Sequence, residues 1–259
     1  MVDCQFAGPV TQLLYGLATV RKAFDWRMMM DILKIVIGIG IAVGIAGFVY
    51  VLVILPWQLR RGASNAKIQR SLPGDDVVPS PKSGYTQAIT IKAQKSEVWK
   101  WLVQIGYKRA GWYTYDFLHR LVGIAGCVDD ERRSAKRIIP ELQDLGVGDV
   151  IEIAPGMGYT VVGLEPEQTL ILQSILDTGK WISVSSDDPL PEKYLRSSWV
   201  WFLEEIDENT TRLIVRVRSD HNPGLLSTLS TRIPNALGRL LMQPRTLRVL
   251  KQRAEMSVS

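Results

Sequence analysis

The sequence predicts an α+β protein in which a curved antiparallel sheet surrounds a long C-terminal helix, with a single transmembrane helix ahead of the sheet. Three observations lead to this prediction. Residues 35–55 form an uncharged apolar run of 21 residues, several segments with period-two alternation follow residue 148, and the chain closes on a long amphipathic pattern. A long antiparallel sheet with one apolar face needs a cover, and the closing pattern is long enough to supply it.

The composition is that of a globular protein. The chain has 259 residues, of which 46% are hydrophobic and 22% charged, enough for one domain and additional segments. Cys4 and Cys127 make neither a metal-ligand spacing nor a disulfide framework. His119 and His221 are not accompanied by carboxylates at zinc-site spacing. We therefore expect no metal and no cofactor, and the residue types assign no catalytic group.

The apolar run predicts a transmembrane helix over residues 35–57. Its 21 uncharged residues would rise about 32 Å as a helix, against a hydrocarbon core of about 30 Å. Residues 1–34 have helical apolar spacing and are predicted to include an interfacial helix. Basic residues flank the span equally, so the sequence predicts a single-pass membrane protein and leaves the side of the soluble domain open. Gly40 and Gly44 would let two such helices approach, which predicts weak self-association.

A linker and a soluble domain are predicted after the span. Residues 58–84 are rich in Gly, Pro, Ser and charge and show no apolar period, which is typical of a linker. From residue 85 to residue 256 the patterns are those of a folded domain. Alternating residues predict a first strand at 85–93, with Ile89 and Ile91 on one face. The later strand signals are "GDVIEIAP", "YTVVGLEP", "TLILQSI", "SSWVWFLEEI" and "TRLIVRVRS".

Two short helices are predicted between the first strand and the others. Ser96 is expected to open one helix that ends near Gly106, and the segment from Gly111 to Leu121 is expected to be the second. The residues around Trp181, Ile182 and Val184 predict one further short strand. In the closing helix, Pro244 should kink or split the helix because proline cannot continue the backbone hydrogen bonds.

Several of these segments resemble the START-like superfamily of helix-grip domains, also called SRPBCC, and within it a bacterial membrane-anchored subgroup labelled polyketide cyclase/dehydrase. The segments are "LPGDDVVP", "EVWKWLVQIG", "GWYTYDFL", "AKRIIPELQDLGVGD" and "TRLIVRVR", between residue 72 and about residue 255. The resemblance implies a helix-grip fold with a hydrophobic cavity between sheet and helix. Two features depart from the family pattern: Pro244, and the charged insert "CVDDERR".

The segment "GWYTYDFLHR" supplies most of the candidate ligand-binding residues. Aromatic rings with polar tips are typical of small-molecule pockets, but rings that only seal helix against sheet would look the same. Asp116 either forms an ion pair with Arg120 at i+4 or faces a ligand. His119 is either a structural residue or a general base. From this segment and the preceding helix the candidates are Trp101, Trp112, Tyr113, Tyr115, Asp116 and His119.

The remaining candidates are two tryptophans and two arginines. Trp199 and Trp201 share one face of their strand and are expected to line the cavity. Arg137 and Arg216 either solubilise the surface or bind a ligand carboxylate or phosphate, and for Arg216 the strand alternation favours the solvent side. Arg216 lies on the other face of its strand from the apolar residues. If the apolar face lines the cavity, Arg216 points to solvent; Arg216 binds a ligand only if it points into the cavity instead.

Three functional hypotheses follow. The first is membrane-tethered binding, with transfer as an extension, of a lipid or other hydrophobic small molecule. The second is a cyclase or dehydrase acting on a hydrophobic substrate in the same cavity, and the third is an anchored adaptor. The basic closing segment, 232–256, contains six basic residues and one acidic residue. It is either a solvated helix face or a contact for anionic lipid; without aromatic residues it does not predict nucleic-acid binding.

Overall fold

The computed structural model describes residues 26–50, residues 70–222 except five positions between 122 and 132, and residues 238–257. The first described element is helix α1, Trp26–Val49. Its stretch Met28–Val49 reaches a mean hydropathy of 2.5 and is long and apolar enough to cross a membrane. The helix begins nine residues before the predicted span of 35–57. Residues 51–57 and the greater part of the predicted interfacial segment lie outside the described residues.

The soluble part of the described chain is built on an antiparallel sheet of seven strands. The strand order is β1-β7-β6-β4-β3-β2, and β5 pairs with the end of β4. The first strand therefore lies beside the last. The strands are β1 (Ser83–Ile91), β2 (Val150–Ala154), β3 (Met157–Glu165), β4 (Thr169–Asp177), β5 (Ile182–Val184), β6 (Tyr194–Asp207) and β7 (Thr210–His221).

The alternation read from the sequence separates an inner face of the sheet from an outer face. In the register of β6 and β7, Trp201 lies opposite Val215 and Leu203 lies opposite Leu213, and all four side chains are in the main hydrophobic core. Ile214, one position along, belongs to a separate outer cluster. Successive side chains of a strand point to opposite faces, so β6 and β7 each contribute to both clusters.

Helix α2 (Lys95–Val103) and helix α3 (Asp116–Leu121) are the two short helices predicted after the first strand. The prediction for the second was wrong over its first half, because residues 111–115 form a loop. Gly111 and Tyr113 have φ angles of +80° and +54°, and right-handed helices do not contain such angles. A 3-10 helix, Pro140–Leu142, follows before β2.

Helix α4 (Gln243–Met256) covers the inner face. Leu247, Leu250 and Ala254 join α2 and the inner strand residues in the main core. Pro244 lies in the first turn of α4, where a proline lacks no intrahelical hydrogen bond, so the regular α-helix begins at this proline instead of passing through it. A π-helical turn, Gly238–Met242, precedes α4, and the earlier part of the predicted closing helix, 223–237, lies outside the described residues.

The outer face is covered by residues 70–82, which we call the strap. Leu72 of the strap is buried against Ala88, Phe202 and Ile214, and Val78 is 2% exposed. Gly74 has a φ of +84°, and a Cβ at this position would come within 2.7 Å of Ile171. The composition of 58–84 predicted a linker; the part of it that the structure describes is instead packed against the sheet.

The strap also corrects the expectation for Arg216. The residue does lie on the outer face, but it is 5% exposed rather than solvated. Its guanidinium binds Asp75 of the strap at 2.6 Å and donates to the carbonyl of Arg70 at 2.9 Å. Arg218 lies 3.3 Å from the second oxygen of Asp75. The arginine is therefore used to hold the strap, away from the inner face.

Candidate functional site

An interior cavity lies between the inner face of the sheet and α2. Its volume is about 10 Å³, roughly that needed for one water molecule. The described side chains thus fill almost all of the space that the helix-grip resemblance implies for a ligand. The lining residues are Leu102 and Ile105 from α2 and its C-terminal end, Trp112 from the loop, and Ile151, Leu170, Leu172, Trp199 and Trp201 from the sheet.

Three of the predicted site residues meet in this cavity as a stack of tryptophans. The rings of Trp112 and Trp199 are stacked, with centroids 6.0 Å apart and planes 21° apart. Trp201 follows on the same strand face, with its ring centroid 5.0 Å from that of Trp199. Tyr159 of β3 meets Trp199 edge-on at 5.5 Å. Offset and edge-on geometries are favourable for aromatic rings, so the stack is a packed wall of the cavity.

The loop that carries Trp112 is fixed by its backbone. Gly106 and Gly111 form a two-residue bridge, and a Cβ on Gly111 would come within 2.6 Å of the Ser134 hydroxyl. The Thr246 hydroxyl of α4 donates to the carbonyl of Trp112 at 3.0 Å. These contacts hold the main chain and leave the Trp112 ring held by packing alone.

The stack contains a fully buried polar atom that has no partner. The indole nitrogen of Trp199 is buried and makes no hydrogen bond. Beside it, the hydroxyls of Tyr159 and Ser197 are 3.1 Å apart and hydrogen-bonded. Burial raises the pKa of Tyr159 above its ordinary value. The polar groups at this end of the cavity are therefore uncharged at neutral pH.

Trp101 and Tyr113 lie in a second cluster, under α4. The Tyr113 hydroxyl accepts a hydrogen bond from Gln104 at 2.6 Å, and the Arg253 guanidinium lies 4.1 Å from the Tyr113 ring centroid. Burial raises the pKa of Tyr113 to about 12 and lowers that of Arg253. The Trp101 indole donates to Ser257 at 3.2 Å. This cluster joins α2 and the loop to α4, and neither Trp101 nor Tyr113 lines the cavity.

Asp116 and His119 lie in a third group, on α3. Asp116 accepts a hydrogen bond from the Ser134 hydroxyl at 2.7 Å, and its ion pair with Arg120 stays a prediction. His119 is buried and lies 3.3 Å from the Thr114 hydroxyl. Burial lowers the pKa of His119, against a smaller opposite effect of Asp116. His119 is thus neutral at physiological pH, but it is not among the residues that line the cavity.

The other candidates lie apart from the cavity. The Tyr115 ring is half-buried, with Arg245 of α4 at 5.7 Å from its centroid. Arg137 is exposed and donates to the carbonyl of Ile138, and Arg216 is on the outer face. Of the ten predicted site residues, the structure brings Trp112, Trp199 and Trp201 together at the cavity.

Five aliphatic lining residues were missed by the sequence analysis, and so were Tyr159 and Gln104. Ile151, Leu170 and Leu172 are apolar residues in the alternating pattern of their strands. This pattern shows that they lie on the inner face of the sheet, but it does not show which part of that face borders the cavity. Gln104 is buried at the end of α2 and accepts the backbone N–H of Ile139 at 2.9 Å. A polar amide within the apolar stretch just before the predicted helix terminator, two residues ahead of Gly106, was the signal that could have found it.

The arrangement provides apolar contact and hydrogen-bond donors but no charge. None of the described residues that line the cavity is an acid or a base, and the described part of the chain contains no group of three or more metal-ligating side chains. The lining of the cavity is therefore aliphatic and aromatic, as in small-molecule pockets, although its present volume is far below theirs.

The sequence matches no protein-family model and no curated protein. Among solved structures it is similar to the Zhui aromatase/cyclase from Streptomyces sp. R1128, with 12% identity, coverage of 68% of this chain and 96% of that chain, and a TM-score of 0.31. CalC, a self-sacrificing resistance protein from Micromonospora echinospora, is 14% identical; the match covers 67% of this chain and 95% of that chain, with a TM-score of 0.34. Protein MLL2253 from Mesorhizobium loti is 14% identical; the match covers 68% of this chain and 98% of that chain, with a TM-score of 0.35.

The fold assignment rests on the architecture itself. The sheet has β1 beside β7 and runs through antiparallel neighbours to β2, two short helices follow β1, and the C-terminal helix packs on the inner face. The predicted subgroup, bacterial and membrane-anchored, stays a prediction. The chain has the helix-grip fold, and its membership of the START-like superfamily also stays a prediction.

Proposed function

We propose that the protein binds a hydrophobic small molecule on the inner face of its sheet, in the space that the Trp112 ring and its neighbours now fill. Trp199 and Trp201 form the wall against which the molecule packs, and α2 closes the opposite side. Three tryptophans around one interior gap are the observation that carries this proposal, since aromatic and aliphatic linings are characteristic of ligand pockets.

The closed state of the cavity defines how binding proceeds. A pocket for a small ligand has about 300–1,000 Å³, whereas the volume here is about 10 Å³. Trp199 and Trp201 belong to a central strand with hydrogen bonds on both sides, but Trp112 belongs to a loop. The Trp112 ring is therefore the lining group that moves, and the ligand takes its place on the face of Trp199.

Binding is favoured over cyclase or dehydrase chemistry by the lining. Proton transfer needs an acid or base within hydrogen-bond reach of the reacting atom, and the described lining residues offer neither. His119 of α3 is hydrogen-bonded to Thr114 of the preceding loop and is outside the lining.

Helix α1 supports attachment of this binding domain to a membrane. Its apolar stretch, Met28–Val49, has exposed side chains at nearly every position, and such a surface is stable when lipid covers it. Attachment to a bilayer suits a ligand of low water solubility, which is concentrated there. Lipids and other membrane-dissolved molecules are thus the ligand class that we expect.

The test is uptake of an uncharged naphthalene probe by the full chain in lipid nanodiscs, with empty nanodiscs as the background. Replacing Trp112 by Ala should accelerate uptake, because no ring has to be displaced. Trp181→Ala is the matched control, since Trp181 is an exposed tryptophan of the same domain. Unchanged uptake in Trp112→Ala, or equal changes in both variants, would show that the cavity is not the binding site.

Native mass spectrometry gives an independent measurement on the protein as purified. We expect a hydrophobic molecule to co-purify with the wild-type chain. Its extraction and identification would name the natural ligand.

A further inference from the structure

We propose that the ligand is neutral and carries a hydrogen-bond acceptor, such as a carbonyl, that binds the indole N–H of Trp199. This inference rests on the proposed function and narrows its ligand class. It follows from two independent observations, the unpaired donor of Trp199 and the absence of charge around the described part of the cavity.

The Trp199 donor is unusual in its surroundings. Its nitrogen is buried and has no partner, while the partly buried ring packs against the rings of Trp112, Tyr159 and Trp201. Buried donors nearly always have a hydrogen-bond partner, because an unpaired one has lost its bond to water and gained nothing. Trp199 also lines the cavity. A ligand acceptor at this nitrogen would give the buried donor of Trp199 its hydrogen-bond partner.

The second observation concerns the arginines. A ligand carboxylate or phosphate in a buried cavity needs a cation beside it, and the described lining residues are all uncharged. Arg216, a sequence-predicted anion ligand, is bound to Asp75 on the outer face. Arg253 lies against the rings of Tyr113 and Trp101 in the cluster under α4. The cavity is thus unsuited to the ionised form of a fatty acid or to a phosphate.

Neutral polar groups do reach this end of the inner face. Ser197 lies two residues before Trp199 on β6 and therefore on the same face. The strand register places Ser174 and Ser219 on either side of Ser197, and Ser197 is hydrogen-bonded to Tyr159. A row of hydroxyls next to the tryptophans favours carbonyl and hydroxyl groups over an anion.

The experiment uses three probes with one aromatic body, each titrated into the full chain in lipid nanodiscs and followed by ligand-observed NMR. 1-Acetylnaphthalene is neutral with an acceptor, 1-ethylnaphthalene is neutral without one, and 1-naphthoate is an anion. Affinities are expressed relative to partitioning into empty nanodiscs. We expect acetylnaphthalene to bind most tightly and naphthoate most weakly.

Trp199→Phe removes the donor and keeps an aromatic ring. We expect it to weaken binding of acetylnaphthalene about 3- to 10-fold, the usual effect of one hydrogen bond, and not to weaken binding of ethylnaphthalene. Trp181→Phe, at an exposed position, should change neither. Should Trp199→Phe fail to fold, the ranking of the three probes on the wild-type chain still decides the question.

Failure of this inference is distinct from failure of the proposed function. If both neutral probes bind equally and Trp199→Phe affects them alike, the cavity binds hydrophobic molecules but the donor is not used. Naphthoate binding as tightly as acetylnaphthalene would refute the claim of neutrality. If no probe binds to the wild-type chain, both proposals are wrong.

Discussion

Replacing Asp75 by Asn removes the carboxylate that holds two arginines to the strap. Asp75 lies 2.6 Å from Arg216 and 3.3 Å from Arg218, with side chains that are 16%, 7% and 21% exposed. Its Oδ2 also accepts the backbone N–H of Leu72 at 3.0 Å. In the variant the guanidinium of Arg216 loses the carboxylate that lies 2.6 Å from it, and the strap loses this ionic attachment.

The expected loss of stability follows from this geometry. Removing one partner of a buried ion pair costs about 3–5 kcal/mol. Asn keeps one acceptor oxygen, and Arg216 retains bonds to Thr86 and to the Arg70 carbonyl, so we expect about 2–3 kcal/mol. With a urea dependence of about 2 kcal/mol per molar, the unfolding midpoint should fall by about 1–1.5 M.

The assay is urea unfolding of residues 57–259, which form one compact unit, followed by circular dichroism. Asp76→Asn is the matched control, because Asp76 is the next residue of the strap and is exposed. The control should leave the midpoint unchanged within error. Equal midpoints for Asp75→Asn and Asp76→Asn would refute the reasoning and show that the strap contributes little to the stability of the domain.

Three further predictions concern His119, Gly111 and α1. Burial lowers the pKa of His119 in the folded state, so the unfolded chain binds a proton first; stability should fall as the pH drops below about 6.5, by at most about 1.4 kcal/mol per pH unit for one proton. Thermal unfolding between pH 8 and pH 5 should show this, with a smaller dependence in His119→Gln. Gly111→Ala should have a much lower melting temperature than Gly123→Ala. Both glycines have a positive φ angle, but only at Gly111 would the added Cβ collide with Ser134. Equal decreases in melting temperature for the two variants would mean that the destabilisation comes from the positive φ angle alone and not from the contact with Ser134. Deleting residues 26–50 should move the protein from the membrane fraction to the alkaline wash, whereas persistence in the membrane would mean that another segment anchors it.

The strands of the sheet were predictable because the alternation of apolar and polar residues within one strand shows which of its residues are buried. Trp199, Trp201 and Leu203 were assigned to one face from alternation alone, and the structure places Trp201 and Leu203 in the main core with Trp199 packed against it. The short strand around Ile182 and Val184 was found in the same way. Period-two alternation arises from one buried and one less buried face, so it survives without knowledge of the strand partners.

The loop around Trp112 was not predictable by the same reasoning. Aromatic and apolar residues between Gly111 and Leu121 fit a helical period, but two positive φ angles prevent a helix over 111–115. The close approach of Gly111 to Ser134 imposes this turn. That contact joins residues more than twenty positions apart, and a local pattern contains no information about it.

The strap and the ligand site depend on one another through Arg216. Alternation placed this arginine on the outer face, which is correct, but composition gave no reason to expect that the Gly- and Pro-rich segment before β1 would cover it. The partner carboxylate, Asp75, is 141 residues away along the chain. Arg216 is paired with the strap on the outer face, and the described lining on the inner face is uncharged. The residue that the sequence offered as an anion receptor is therefore a reason to expect a neutral ligand.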